Sequence, residues 1–240
     1  MKVDYTRYYR HWHNDSPEHF AAMVGYYGGR LAVHLPADRN TRLLDVGCGM
    51  GFALEALRVL GYTQLEGIDP DEGQVAAARA GHRPVSRVED TAAWLHARPG
   101  QYDAILLLDV LEHIPREEQF DFLAALHGAL APGGRLICSV PNANSTLAAR
   151  HRYNDWTHRV GFTEHSLEFA LHHGGFRDIQ VLADDGAPMR LPWVPHWRRR
   201  WWYVRSLFRA VRRLQLMAEL GPEEGRRVPL SLNLLGVATK

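Results

Sequence analysis

Cysteine is scarce in this chain, with only Cys48 and Cys138 in 240 residues. Two cysteines make no disulfide framework, and no His/Cys spacing suits a structural zinc site. Net charge is nearly absent too, at +1, so no overall field steers the protein to nucleic acid or a membrane. No apolar run is long enough to span a bilayer. The opening stretch, MKVDYTRYYRHWHND, is polar and aromatic and lacks the apolar centre of a secretory signal. Internal repeats and low-complexity tracts are missing. These absences lead us to expect a reducing, cytoplasmic compartment. What is present is globular in character: 46% hydrophobic and 23% charged residues, enough to bury a core. The length suits one α/β domain with additions.

Short apolar runs alternate with amphipathic stretches. Strands are predicted at 42–46, 65–68, 84–88, 103–108, 135–140, 178–183 and 232–239. Helices are predicted at 52–60, 70–80, 116–130 and 166–173. Pro132-Gly133-Gly134 should stop the third helix and Gly174-Gly175 the fourth. Apolar strands alternating with helices imply an α/β fold with a doubly wound, mostly parallel, seven-stranded sheet covered on both faces. Ligands on such sheets bind at the carboxyl ends of the strands, near the reversal of strand order. Residues 41–185 form this core, and 229–240 supply its last strand. Outside the alternation lie 1–40, 141–165 and 186–228. The first is expected to be a helical segment covering the ligand site. If the last strand runs antiparallel, the other two emerge at the binding edge and wall an acceptor pocket.

One stretch reads as strand, Gly-x-Gly-x-Gly, then helix: Leu43-Leu44-Asp45-Val46-Gly47-Cys48-Gly49-Met50-Gly51-Phe52. Glycines allow a tight turn and close approach of a ligand to the main chain. A dinucleotide fingerprint needs glycine where Phe52 stands. Asp45 can hold the turn or face a cationic ligand, and it would repel a pyrophosphate. The stretch resembles motif I of class I S-adenosylmethionine-dependent methyltransferases. Four further pieces resemble that family in order: Glu66 to Asp71, Val88-Glu89-Asp90, Tyr102 to Ile114, and Leu130 to Leu136. The resemblance implies a Rossmann-like fold with S-adenosylmethionine as cofactor. It implies cofactor contacts at Asp45, Gly47, Cys48, Gly49 and Gly51 in the loop, and at Asp69 and Pro70 beside the ribose. Glu89 and Asp90 would lie near the adenine, and Asp109, Val110 and His113 near the methionine part. From the residues alone, Asp69 can instead be a helix N-cap before Pro70. Cys48 reads as a small loop filler rather than a reactive thiol. Trp156 to Phe176 resembles methyltransferases of polysaccharide and lipopolysaccharide biosynthesis.

Methyl transfer from a sulfonium is a direct displacement, so the protein must align an acceptor and remove its proton. His158, His113 and Asp109 are the catalytic candidates. Glu112 can orient His113, and Asp155 or Arg152 can orient an acceptor. Structural alternatives are a capped turn at 109–115 and a polar loop packed by Trp156. Some quinone O-methyltransferases resemble the Glu112-His113 sequence and use it with other acids, Asp109 being one candidate here, to hold a divalent cation. No metal site is assigned, because the remaining ligands are not legible.

Between Gly186 and Ala218 there is no Asp or Glu, but there are eight Arg. On a helical wheel Trp201, Val204, Leu207, Phe208, Val211 and Leu214 share one face, and Arg205, Arg209, Arg212 and Arg213 the other. Three readings stand open: a lid helix packed on the domain, an interfacial helix over 196–218 at the inner face of a membrane, and a nucleic-acid contact. Nucleic acid is not the expected partner. The expected reaction is O-methylation of a glycan, sugar nucleotide or lipid-linked saccharide with anionic character. The alternatives are a phenol or quinone O-methyltransferase and a non-catalytic cofactor-binding module. A nicotinamide-dependent oxidoreductase is disfavoured by Phe52.

Overall fold

The computed structural model describes His13 and residues 16–185 and 196–240. Seven strands form one sheet: β1 (Arg42–Val46), β2 (Gln64–Asp69), β3 (Val85–Arg87), β4 (Tyr102–Leu108), β5 (Leu130–Pro141), β6 (Arg177–Asp184) and β7 (Asn233–Thr239). Their order is β3-β2-β1-β4-β5-β7-β6. Only β7 runs against its neighbours, antiparallel to both β5 and β6. The helices are α1 (Pro17–Leu31), α2 (Phe52–Val59), α3 (Glu72–Ala80), α4 (Thr91–His96), α5 (Gln119–Ala129), α6 (Ala148–Asn154), α7 (Glu164–His173), α8 (His196–Leu220) and α9 (Pro222–Arg227).

The apolar runs are continuous because each strand buries both faces, and alternate residues go to opposite sides. On one face Leu44, Val46, Ile105, Leu107 and Leu136 pack with Phe122 and Leu126 of α5 and Leu167 and Leu171 of α7. On the other, Leu43, Ala104, Leu106 and Ile137 pack with Leu31 of α1 and Leu57 of α2. With both faces closed, the strand ends stay open, and the order reverses between β1 and β4.

Three expectations shift. The helix predicted at 116–130 begins at Gln119, because Arg116–Glu118 form a 3₁₀ turn after Pro115. Pro132-Gly133-Gly134 lies inside β5 rather than before it. Tyr102 pairs with Leu130 and Ala104 with Arg135, so the residues between bulge out, with Gly133 at φ +74. Helix α4 was not foreseen; it is six residues long, too short for a periodic signal, and starts where the Asp90 carboxylate accepts the Ala93 amide at 2.9 Å.

Helix α1 is tied to the far side of the sheet by a buried ion pair between Arg30 and Asp184 at the end of β6. The Arg30 Nε and Nη1 groups make no hydrogen bond, yet the residue is only 6% exposed. A buried pair contributes little beyond an apolar substitute, but one stranded partner is expensive. Arg30→Met should therefore destabilise the fold by about 3–5 kcal/mol. Pairing it with Asp184→Leu should recover much of that loss. Urea unfolding of the two variants checks this; equal losses would show that Asp184 is not stranded by the single change.

Candidate functional site

The glycine loop after β1 is pinned to β2. The amides of Gly47 and Cys48 both donate to the Ile68 carbonyl, at 2.8 and 3.1 Å. Gly47 has φ +73, and a Cβ there would come within 2.4 Å of Val110 Cγ2, so no larger residue fits without displacing the turn after β4. At the end of β2, the Asp69 carboxylate takes the Gly49 amide on Oδ2 at 2.9 Å and the Asp71 amide on Oδ1 at 2.8 Å. The N-cap of α3 is Asp71, which accepts the Gln74 amide at 2.9 Å. The capping alternative for Asp69 thus falls to its neighbour. Burial raises the Asp69 pKa despite these amides. Asp45, 2% exposed, is pushed up to about 7 by burial and then by the charge of Asp69.

Above this loop opens a cavity of about 690 Å³, within the usual range for a small-molecule site. Its walls include Gly47, Gly49, Asp69, Pro70, Glu89, Asp90, Asp109, Val110 and His113. Among the described residues seven carboxylates line it, from Asp69 to Asp121, and no lysine or arginine does. Three expected contacts lie outside these walls. Asp45 is buried in β1. Cys48 is buried behind the loop against Gly67, and burial holds its thiol protonated. Gly51, at φ +78, precedes α2 and abuts Arg83. Sequence reasoning missed Gln74 of α3, Thr91 of α4 and Phe122 of α5, which also face the cavity. Gln74 and Phe122 read as ordinary helix positions and Thr91 carried no signal, and only the way those helices fold over the crevice brings them in.

Asp109 ends β4 in a left-handed conformation, φ +57, a region that Asp tolerates better than most residues. Its amide donates to the Ser139 carbonyl at 3.0 Å, and its Oδ1 accepts the Ser139 hydroxyl at 2.9 Å. Strain of this kind concentrates at functional turns.

The two candidate bases meet. His113, in the wall of the main cavity, and His158, from the loop after α6, have ring centroids 4.7 Å apart. His158 lines a second hollow of about 290 Å³, together with Asn142, Arg152 and Tyr153. Thr157 donates its hydroxyl to Asp155 at 2.6 Å, so its oxygen is left to receive His113 Nδ1 at 2.8 Å. That places the basic lone pair of His113 on Nε2. Burial and then the neighbouring His158 hold the His113 pKa below its ordinary value. His158 Nδ1 lies 2.7 Å from the His151 carbonyl and donates to it. Its Nε2 lies 3.8 Å from Glu112. Glu112 is fully buried, neither carboxylate oxygen has a hydrogen-bond partner, and burial with the nearby Asp109 raises its pKa well above the ordinary value. Ligand atoms of Glu112, His113 and His158 lie within 4.8 Å of one another. Asp109, expected in such a group, is not in it. Arg152 donates to the carbonyls of His158 and Arg159 and so holds the loop.

Neither terminal addition lines the main cavity among the described residues. Helix α1 instead packs on α2, with Phe20 against Phe52 at 5.1 Å. Residues 1–12 of the expected cover, and 186–195 of the Arg-rich segment, lie outside the described residues.

A family model described as "Methyltransferase domain" matches residues 10–181. An O-methyltransferase of ubiquinone biosynthesis from Ruegeria pomeroyi is 38% identical over 108 residues, 43% of this chain and 42% of that protein. One from Xanthomonas campestris is 34% identical over 147 residues, 55% and 56%. A tRNA U34 carboxymethyltransferase from Alcanivorax borkumensis is 36% identical over 113 residues, 45% and 34%. The chain thus spans about half or less of the length of these relatives. None of the three is a polysaccharide enzyme, so the finer likeness expected from residues 156–176 is not what they carry. A solved S-adenosylmethionine-dependent methyltransferase from Archaeoglobus fulgidus superposes with a TM-score of 0.68 at 20% identity, covering 99% of this chain and 100% of that one. A phosphoethanolamine N-methyltransferase from Haemonchus contortus, solved with S-adenosylmethionine, gives 0.60 at 18%, covering 99% and 57%. With its glycine loop, acidic crevice and seven-stranded sheet, this chain belongs to the methyltransferase domain family.

Proposed function

We propose that this chain is an S-adenosylmethionine-dependent methyltransferase that methylates a hydroxyl of a small phenol or quinol, with His113 as the base. The observation that carries the reading is the pair of imidazoles where two cavities meet. His113 faces the acidic cavity that suits the cofactor, and His158 faces the smaller hollow that suits an acceptor. The relatives named for ubiquinone biosynthesis O-methylation favour this acceptor class over a glycan. The free, buried thiols of Cys48 and Cys138 are compatible with action in the cytoplasm.

The residues present fit the cofactor. A cavity lined, among the described residues, by carboxylates and by no lysine or arginine favours a sulfonium cation and disfavours a pyrophosphate. Asp69 has acceptor capacity left on both oxygens for ribose hydroxyls, and the amides it anchors hold the loop open for close approach. When bound, S-adenosylmethionine supplies an electrophilic methyl group on a leaving group that is already activated. The chain must supply position and a proton acceptor. Asp155, through Thr157, orients the His113 ring so that Nε2 can receive the acceptor's proton. Asp109 and His113, on one turn after β4, bring charge and base to the same edge. Arg152 stands in the second hollow, where an anionic group on the acceptor would meet it.

A second reading rests on Glu112. A buried carboxylate with no hydrogen-bond partner, beside two imidazoles, is a donor set for a divalent cation of borderline hardness. A cation held there would acidify the acceptor hydroxyl, and the two histidines would then be ligands rather than bases.

Four measurements test these readings. Asp69→Ala should weaken binding of S-adenosylhomocysteine by on the order of tenfold or more, since each charged hydrogen bond contributes about 1.5–3 kcal/mol; calorimetry measures it, and unchanged affinity would remove the ribose assignment. His113→Gln should lower turnover of a catechol probe by roughly 10²–10⁴-fold while cofactor affinity holds. Because the His113 pKa is depressed, wild-type kcat/KM should hold as pH falls through the ordinary imidazole range and drop only below it. A profile that falls as an unperturbed imidazole would titrate speaks against His113. Finally, dialysis against EDTA decides the second reading. Activity that survives it leaves His113 as base, and activity lost and restored by Mg²⁺ or Mn²⁺ makes the cluster a metal centre.

A further inference from the structure

Helix α8 sits on the protein the wrong way round for a soluble amphipathic helix. Its inner side is largely polar. Arg209 makes a two-pronged ion pair with Asp185, at 2.7 and 2.5 Å. Arg213 donates to the carbonyls of Gly225 and Val228, at 2.7 and 2.6 Å. Leu216 packs into a small cluster with Val228 and Leu230. Gly225 permits this close docking, because a Cβ there would lie 2.5 Å from the Met217 backbone. The apolar stripe points outward: Trp201, Val204, Leu207, Phe208, Val211 and Leu214 are each 37–65% exposed. A soluble domain normally turns such a stripe to its core, and a contiguous exposed one marks an interaction surface.

We propose that α8 is an interfacial anchor that lays this stripe into an anionic lipid surface. Charge selects that occupant. The helix carries seven arginines, from Arg198 to Arg213, against one acid, Glu219. Arg205 and Arg212 flank the stripe directly on the helical wheel. An aromatic and aliphatic stripe bordered by arginine matches the interfacial zone of an anionic bilayer. A second copy of the chain matches it poorly. Pairing two stripes would set Arg205 and Arg212 of both helices along one seam with no acidic residue opposite, where paired helices need complementary charge. The helix does not cross the bilayer: among the described residues no helix is long and apolar enough. Exposed Leu147, Tyr153 and Trp156 follow the carboxyl end of β5, and α8 follows that of β6. Both therefore leave the same edge of the sheet, the edge that holds the two cavities. An enzyme anchored there takes its acceptor from the membrane face.

The test is co-sedimentation of the full chain with phosphatidylcholine vesicles, with and without phosphatidylglycerol. The protein should pellet with the anionic vesicles, stay in solution with the neutral ones, and bind less as salt screens the contact over about 8 Å. Leu207→Ser with Phe208→Ser, and separately Arg205→Glu with Arg212→Glu, should each lower the bound fraction by about tenfold or more. These side chains lie outside the core, so circular dichroism and S-adenosylhomocysteine binding should be unchanged in both pairs. The proposal is overturned if anionic vesicles fail to pellet the protein, or pellet the variants equally well. It is equally overturned if light scattering shows a dimer that the serine pair dissolves while wild-type protein ignores the vesicles.

Discussion

The sheet's two-sided burial is the constraint on which everything else here depends. Leu44, Ile105, Leu106 and Leu107 have no exposed surface, so the middle of the sheet offers nothing to a ligand. Parallel strands put all their carboxyl ends on one edge, and the reversal between β1 and β4 separates the loops that follow them. The crevice is the space left between those loops. Gly47 must be glycine because the turn after β4, through Val110, presses against it from across the crevice. Loop and turn are a matched pair, and Asp69 keeps the loop in place from the other side.

Charge is arranged against the average. A chain with almost no net charge collects seven carboxylates around one cavity and seven arginines on one helix. The first concentration favours a cationic ligand, and burial strengthens it by weakening the screening of water. Within the site, burial also separates the roles of like groups. Asp45 and Glu112 are driven toward their neutral forms, while the Asp69 carboxylate is supported by two amides. Burial and the neighbouring His158 lower the His113 pKa. On α8, Arg209 and Arg213 are turned to partners on the protein, and Arg205 is exposed beside the apolar stripe.

The family match runs over residues 10–181. The matching relatives share about half of their length with this chain, and they act on unlike acceptors by name. The residues that line the crevice lie within the family match, and so does the segment after β5. The segments after β5 and β6 differ in kind from that core: one brings His158 and Arg152 to a second hollow, the other carries the outward stripe of α8.

Much was legible along the chain because it depends on local order. The alternation of apolar runs and helices, the glycine loop and the placing of Asp69 at a strand end are properties of neighbouring residues, read directly from periodicity and turn chemistry. The direction of the last strand stood only as a condition in the sequence, and its antiparallel pairing with β5 and β6 is a result of the fold. Other features needed contact between distant segments. Asp71 took the helix cap that Asp69 also suited, because both stand before the same helix and only backbone geometry chooses. Cys48 and Gly51 sit in the glycine loop yet face away from the cavity, since successive residues of a tight turn point in different directions. The joining of His113 to His158, 45 positions apart in sequence, came from the loop after α6 folding back on the turn after β4. The stripe of α8 was plain on a helical wheel, which says which residues share a face. Which side that face turns to is decided by Asp185, Gly225 and Val228, residues outside the helix whose partners exist only in the fold.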